Sequence, residues 1–263
     1  MNLFLISCNE SNQTRQEHEN MDEYSENEND TSSSIQNLED KMDQIMSEKS
    51  DFDGDTYKDV TIIKAAGAKK AEVNLKIGAA HVRLSAGSGE LLTAGFKYSN
   101  EEWKPEISYD VNENTGYLEL KQPENQHYNI DNGDKYSWNL KFTDKLPLDF
   151  NIELGAGLSE INLDNLIIDR FSMDIGVGKA EIDLGSNWKR NAEIHLNGGI
   201  GLSIIHIPQN VGVSIEISKG LGDVEVRNLK KTGNNKYEND AFSGAGPKIK
   251  VYIKTGIGKI EID

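Results

Sequence analysis

Glu160, Glu181 and Glu225 recur at equivalent points of a repeated segment, and they are the residues best placed to do chemistry. Stacked β-strands lie about 4.8 Å apart, and sugar-cleaving enzymes use carboxylate pairs roughly 5–10 Å apart. An aligned row of these three would permit acid–base attack on a glycosidic bond. The simpler reading is a solvated face, with Lys179 and Arg227 nearby to offset like charges. The histidines are His18, His81, His127, His195 and His206, and no pair has metal-ligand spacing such as His-Glu-x-x-His. His195 and His206 alternate with apolar residues, so they are expected to face solvent. No Gly-x-Ser-x-Gly elbow is present. Asp51, Asp53, Asp55 and Asp59 match positions 1, 3, 5 and 9 of a calcium loop. Thr56 stands where that loop needs glycine and Ile62 where it needs a bidentate acid, so the segment reads as a solvated acidic linker. No catalytic, cofactor-binding or metal-binding residue is assigned, and no cofactor is expected.

The elements that would position those carboxylates are repeats. Gly155-Ala156-Gly157, Gly176-Val177-Gly178, Gly199-Ile200-Gly201, Gly220-Leu221-Gly222 and Gly256-Ile257-Gly258 each precede a strand-like run such as Lys179-Ala180-Glu181-Ile182-Asp183-Leu184. The second glycines are spaced by 21, 23, 21 and 36 residues. The long interval becomes regular if the polar segment Lys230–Gly246 is a surface loop inserted into the last repeat. Each repeat reads as strand, Gly-x-Gly turn, strand, polar turn, with period-two alternation in the strands. Glycine permits positive φ or a tight approach of backbones. The apolar residue between the glycines is expected to point into the core. A coil of this length cannot bury its apolar face alone, and stacking on neighbours does so. A dinucleotide fingerprint would need a third glycine and a following helix; strands follow here, so the ten glycines are read as structural corners.

Weaker copies lie upstream. Lys70-Ala71-Glu72-Val73-Asn74-Leu75 nearly repeats Lys179–Leu184, and Ile77-Gly78-Ala79-Ala80 is a degenerate corner with alanine in the second glycine position. Gly95–Tyr98, Pro105–Tyr109 and Tyr117–Leu120 read as strands joined by Asn/Gly turns, with Asn132-Gly133 a tight-turn signal. The fold class expected is all-β: a repetitive, β-solenoid-like stack of short strands with Gly-x-Gly corners, preceded by a disordered acidic N-terminal tail.

The net charge of −16 is unevenly spread, with −12 of it in residues 9–60 and −4 in the remainder. Residues 9–60 hold too few apolar side chains to offset the entropy of ordering, although residues 34–49 have apolar positions at helical spacing. An acidic tail repels duplex DNA and anionic lipid, and no basic cluster with interleaved aromatics occurs, so nucleic acid is not an expected partner. The single cysteine, Cys8, forms no intramolecular disulfide or Cys-rich zinc site.

Leu5-Ile6-Ser7-Cys8 resembles the lipobox of bacterial lipoproteins, in which the cysteine receives a diacylglycerol. The stretch before it lacks a basic n-region and is shorter than the ~7–15 residues of a usual h-region, so either translation starts further upstream or the match is a coincidence. Two acyl chains suffice for stable anchoring. The resemblance implies a truncated signal at 1–8, lipidation at Cys8, and an acidic tether over 9–60.

Glu72–Gln122 resembles the N-terminal domain of the toast-rack family. Trp138–Leu184 is similar to the β-repeat domain shared by LiaF-like cell-wall-active antibiotic response proteins and adhesin-like proteins. The segments are taken as 61–137 and 138–263. The resemblance implies an envelope-associated bacterial protein and supplies no catalytic residues. LiaF-like regulators usually carry membrane helices before the β-domain, and this sequence shows none. The expectation is a non-enzymatic lipoprotein on the extracytoplasmic face of the cell membrane, acting as an adhesin-like scaffold. Its expected partners are the membrane, through the lipid, and an envelope polymer or protein. The alternatives are a regulator of the envelope stress response and a carbohydrate-active enzyme using the stacked carboxylates.

Overall fold

A computed structural model describes residues 57–124 and 136–263. Cys8, the acidic segment up to residue 56, the 34–49 periodicity and Asn132-Gly133 lie outside the described residues. The described residues are all-β, as the alternation predicts. The strands are β1 (Tyr57–Ile63), β2 (Lys70–Ala86), β3 (Leu92–Tyr98), β4 (Glu106–Asn112), β5 (Thr115–Lys121), β6 (Tyr136–Phe142), β7 (Leu148–Asn162), β8 (Ile168–Asp183), β9 (Ala192–His206), β10 (Gly212–Val226), β11 (Lys230–Gly233), β12 (Lys236–Glu238) and β13 (Lys248–Ile262).

Six long strands stack in parallel, in the order β2-β7-β8-β9-β13-β10. Each bends at its corner without leaving the ladder, since Ala156 pairs with Val177 and Gly157 with Gly178. The strands are therefore long and bent rather than short and separated by turns. Residues 163–167 carry the chain from the end of β7 to the start of β8. There Leu148 N–H donates to Ile167 O at 2.8 Å, and Leu163 N–H donates to Asp183 O at 2.9 Å. Each coil thus closes with a short return, which is why the repeat is close to 21 residues.

Neighbouring backbones come so close at the corners that a Cβ is excluded. A Cβ at Gly176 would collide with Gly155 O, and one at Gly178 with Gly157 O; the same holds up the stack at both glycine columns. Gly178 also has φ +147°. This twist changes which positions face inward. Phe171, Met173 and Ile175 are buried before the corner of β8, and Ala180, Ile182 and Leu184 after it. The alternation skips one residue, so Val177 stays outside. The residue between the glycines thus faces solvent, against the sequence expectation, because the left-handed glycine absorbs the inward turn.

The insertion also differs from a plain loop. β11 and β12 form a hairpin, and β12 pairs with β10 over Ser214–Glu216. Buried Asn239 fixes it: Nδ2 donates to Pro208 O at 3.0 Å and Val211 O at 2.7 Å, and Oδ1 accepts from Val213 N–H at 2.9 Å. β13 then enters between β9 and β10 instead of following β10. Its Ile249, Val251, Ile253, Ile260 and Ile262 suit a strand paired on both edges, whereas the second half of β10 carries Lys219, Asp223 and Glu225 at the rim.

At the other end, β5 pairs with Lys70–Lys76 of β2, and β6 with His81–Ala86. The sheet and its core run without a break across residue 138, because β2 pairs along its length with β7. β3 and β6 add an aromatic cluster, including Phe96 edge-on to Trp138 at 5.3 Å. Among the described residues no helix is long and apolar enough to cross a membrane.

Candidate functional site

The outer surface of the stack is a grid. Each in-register parallel strand adds one side chain to a column, about 4.8 Å from the last. Before the corner, one column reads Lys76, Glu153, Asp174, Asn197, Lys254 and Ser218. The residues from Lys76 to Lys254 and buried Gln122 line a groove of about 1000 Å³ whose floor includes the first glycines. Asn197 Nδ2 donates to Asp174 Oδ1 at 2.6 Å. Two residues earlier on the same face, His195 stacks on Tyr252, with ring centroids 4.9 Å apart. This groove offers charged and amide groups at regular intervals, which suits recognition of an extended polar ligand. Sequence reasoning missed it, although a polar residue two places before the first glycine of all five corners was a readable signal.

After the corner, Arg83, Glu160, Glu181, Ile204, Glu261 and Glu225 form one column. Glu160 and Glu181 are direct neighbours. Glu225 lies further along, separated from them by Ile204 and Glu261. Each acid has a cation. Glu160 lies 2.6 Å from His81 Nε2 and 3.2 Å from Arg83 Nε. Glu181 lies 2.6 Å from Lys179, and Glu225 lies 2.9 Å from Lys259 and 3.5 Å from Arg227. Partial burial pushes the Glu160 pKa up, but hydrogen bonds from Arg83 and His81 outweigh it and hold it below the usual range. Hydrogen bonds from Lys179 lower Glu181, and those from Lys259 lower Glu225. A glycosidase acid needs its pKa raised; all three are instead held as carboxylates, which suits a charged recognition face.

A second groove of about 420 Å³ lies on this face, lined by Arg83, Lys141, Glu160, Glu181, Asp183 and His206. His206 Nδ1 is 2.6 Å from Asp263 and Nε2 is 3.6 Å from Glu181. Partial burial opposes its protonation, but the two carboxylates outweigh burial and raise its pKa above 6.5. His195 and His206 both reach solvent, as their alternation predicts. Among the described residues no group of three or more His, Cys, Asp or Glu side chains could hold a metal ion. Of the aspartates in the acidic run, Asp59 alone is described, on β1; it accepts from Tyr98 OH and lies 3.4 Å from Lys104 Nζ.

The family described as the N-terminal domain of toast_rack matches residues 46–206, and that described as cell wall-active antibiotics response LiaF, C-terminal, matches residues 156–262. A solved structure from Clostridium sporogenes, titled a "putative cell adhesion protein", is 31% identical. The match covers 79% of this chain and 99% of that one, with a TM-score of 0.76. A "putative adhesin" from Bacteroides fragilis is 12% identical over 80% of this chain and 98% of its own, with a TM-score of 0.28. The chain matches no curated protein.

Proposed function

The chain belongs to the toast-rack family, and from that premise we propose that it is a non-enzymatic, adhesin-like scaffold of the bacterial cell envelope. Its stack binds an envelope polymer or protein through the outer faces, and a lipid on Cys8 holds it at the extracytoplasmic face of the membrane. The observation that carries this reading is the 31% identity to a cell-adhesion-type structure across 99% of that structure's length. The carboxylate column supports it, since ion-paired acids recognise charge better than they transfer protons. Pull-down of the full chain with purified cell wall, envelope membranes and host matrix tests the binding role, and no retention on any of them defeats it. Intact mass of the protein extracted from membranes tests the anchor; an unmodified Cys8 defeats that part alone.

The match of residues 156–262 to the LiaF C-terminal family favours a second reading, a regulator of the response to cell-wall-active antibiotics. A deletion strain whose transcription under such antibiotics equals that of the parent removes it.

A further inference from the structure

The outward residues of the corners form a column of their own: Ala79, Ala156, Val177, Ile200, Ile257 and Leu221, each the register partner of the next. Val177, Ile200, Ile257 and Leu221 are 52%, 53%, 50% and 71% exposed. Single exposed apolar residues are ordinary, whereas a contiguous row across six strands marks an interaction surface. Side-chain volume rises along it, from alanine at one end to leucine at the other. The packed glycines beneath keep the row straight and rigid.

We propose that this column is the centre of a two-fold interface with a second copy of the chain, the two stacks running in opposite directions. An axis perpendicular to the stack, passing between Val177 and Ile200, sets Val177 against Ile200 of the partner subunit. It sets Ala156 against Ile257 of the partner subunit, and Ala79 against Leu221 of the partner subunit. Small meets large at every step, so the two tapered rows fill one another. The flanking columns agree. On one side Glu153 meets Lys254 of the partner subunit, and Asp174 meets Asn197 of the partner subunit. On the other, His81 meets Asp223 of the partner subunit, and Lys179 meets Leu202 of the partner subunit, where an aliphatic stem can lie on leucine. Neither flanking column places like charges opposite each other. An axis along the stack does worse: Lys254 would face Lys259 of the partner subunit, and the taper would leave a gap between the alanine ends. A two-fold contact must be self-complementary in this way.

Sedimentation velocity on the full chain, from low-micromolar to near-millimolar concentration, is expected to show a monomer–dimer equilibrium. Ile200→Lys, whose site lies beside the axis in both copies, is expected to abolish it. Glu153→Lys and Lys254→Glu are each expected to weaken association at least about tenfold, and the double variant to restore it. Thermal melts matched to the parent establish that the variants are folded. A monomer at every concentration overturns the proposal, including one whose column is covered by another partner such as a lipid surface. So does a dimer that Ile200→Lys leaves intact, or a charge-swapped double variant that stays weak.

Discussion

Gln122 takes the place of a missing strand opposite Ala79. Its Oε1 accepts from Gly78 N–H at 2.5 Å and Ala79 N–H at 2.9 Å, and its Nε2 donates to Ala79 O at 3.0 Å. β5 and β6 pair with the two halves of β2, and among the described residues no strand pairs with the corner between them on that side. One amide side chain supplies both the donor and the acceptor that the ladder would have supplied.

Gln122→Ala removes the partner of three part-buried backbone groups, each costing roughly 1 kcal/mol or more when left unsatisfied. A loss of about 2–3 kcal/mol is expected in denaturant unfolding. Gln122→Glu keeps the acceptor and loses the donor, so a smaller loss is expected.

Gly178 and Ala80 occupy the same corner position on different strands and should differ in how much a substitution costs. Ala80 keeps negative φ and, among the described residues, no strand pairs with it on the side away from β7, because β5 and β6 have separated there. Gly178→Ala drives a Cβ into Gly157 O at φ +147°. It is expected to destabilise by more than about 3 kcal/mol or to prevent folding. Ala80→Gly is expected to cost about 1 kcal/mol or less. Thermal melts and soluble yield of the two variants check the contrast.

His206 bridges Glu181 and Asp263, and its pKa lies above 6.5 in the folded chain. Raised in this way, it stabilises fully below its unfolded pKa, and that stability is lost as pH rises through the folded pKa. The effect is small because the imidazole is 40% exposed. Melting temperatures across about pH 5–8 are expected to show this component in the parent and not in His206→Gln. A parent titration of His206 below 6.5 by NMR would contradict the bridge.

Lys219 is exposed on the open half of β10, at the register position that Thr255, Gly198 and Ile175 hold on the neighbouring strands, and its Nζ donates to Gly222 O. Among the described residues, Lys219–Val226 pair with β13 only. A lysine on an open strand edge is one way to stop that edge from recruiting another chain. Lys219→Val is expected to raise concentration-dependent aggregation, measured by light scattering, while far-UV circular dichroism of the soluble fraction stays unchanged.

The repeat of Glu160, Glu181 and Glu225 was legible as a column, because parallel registration follows from equal repeat length. Ile204 and Glu261 stand at the same place, three residues past a second glycine, but the order Glu181–Ile204–Glu261–Glu225 was not legible, since it depends on β13 lying between β9 and β10. The polar column Lys76–Glu153–Asp174–Asn197–Lys254 was present in the spacing but had no meaning until the glycines before the bend proved to floor a groove.

The amino-acid sequence by itself determined an all-β stack with a coil near 21 residues, because alternation sets strand faces locally and the regular recurrence of Gly-x-Gly sets the length of each coil. Only the tertiary structure decided the order of the last two coils, the solvent-facing place of Val177 and its equivalents, and the role of Gln122. Each depends on where a second strand ends or passes, and contacts between residues dozens of positions apart leave no periodic trace in the chain.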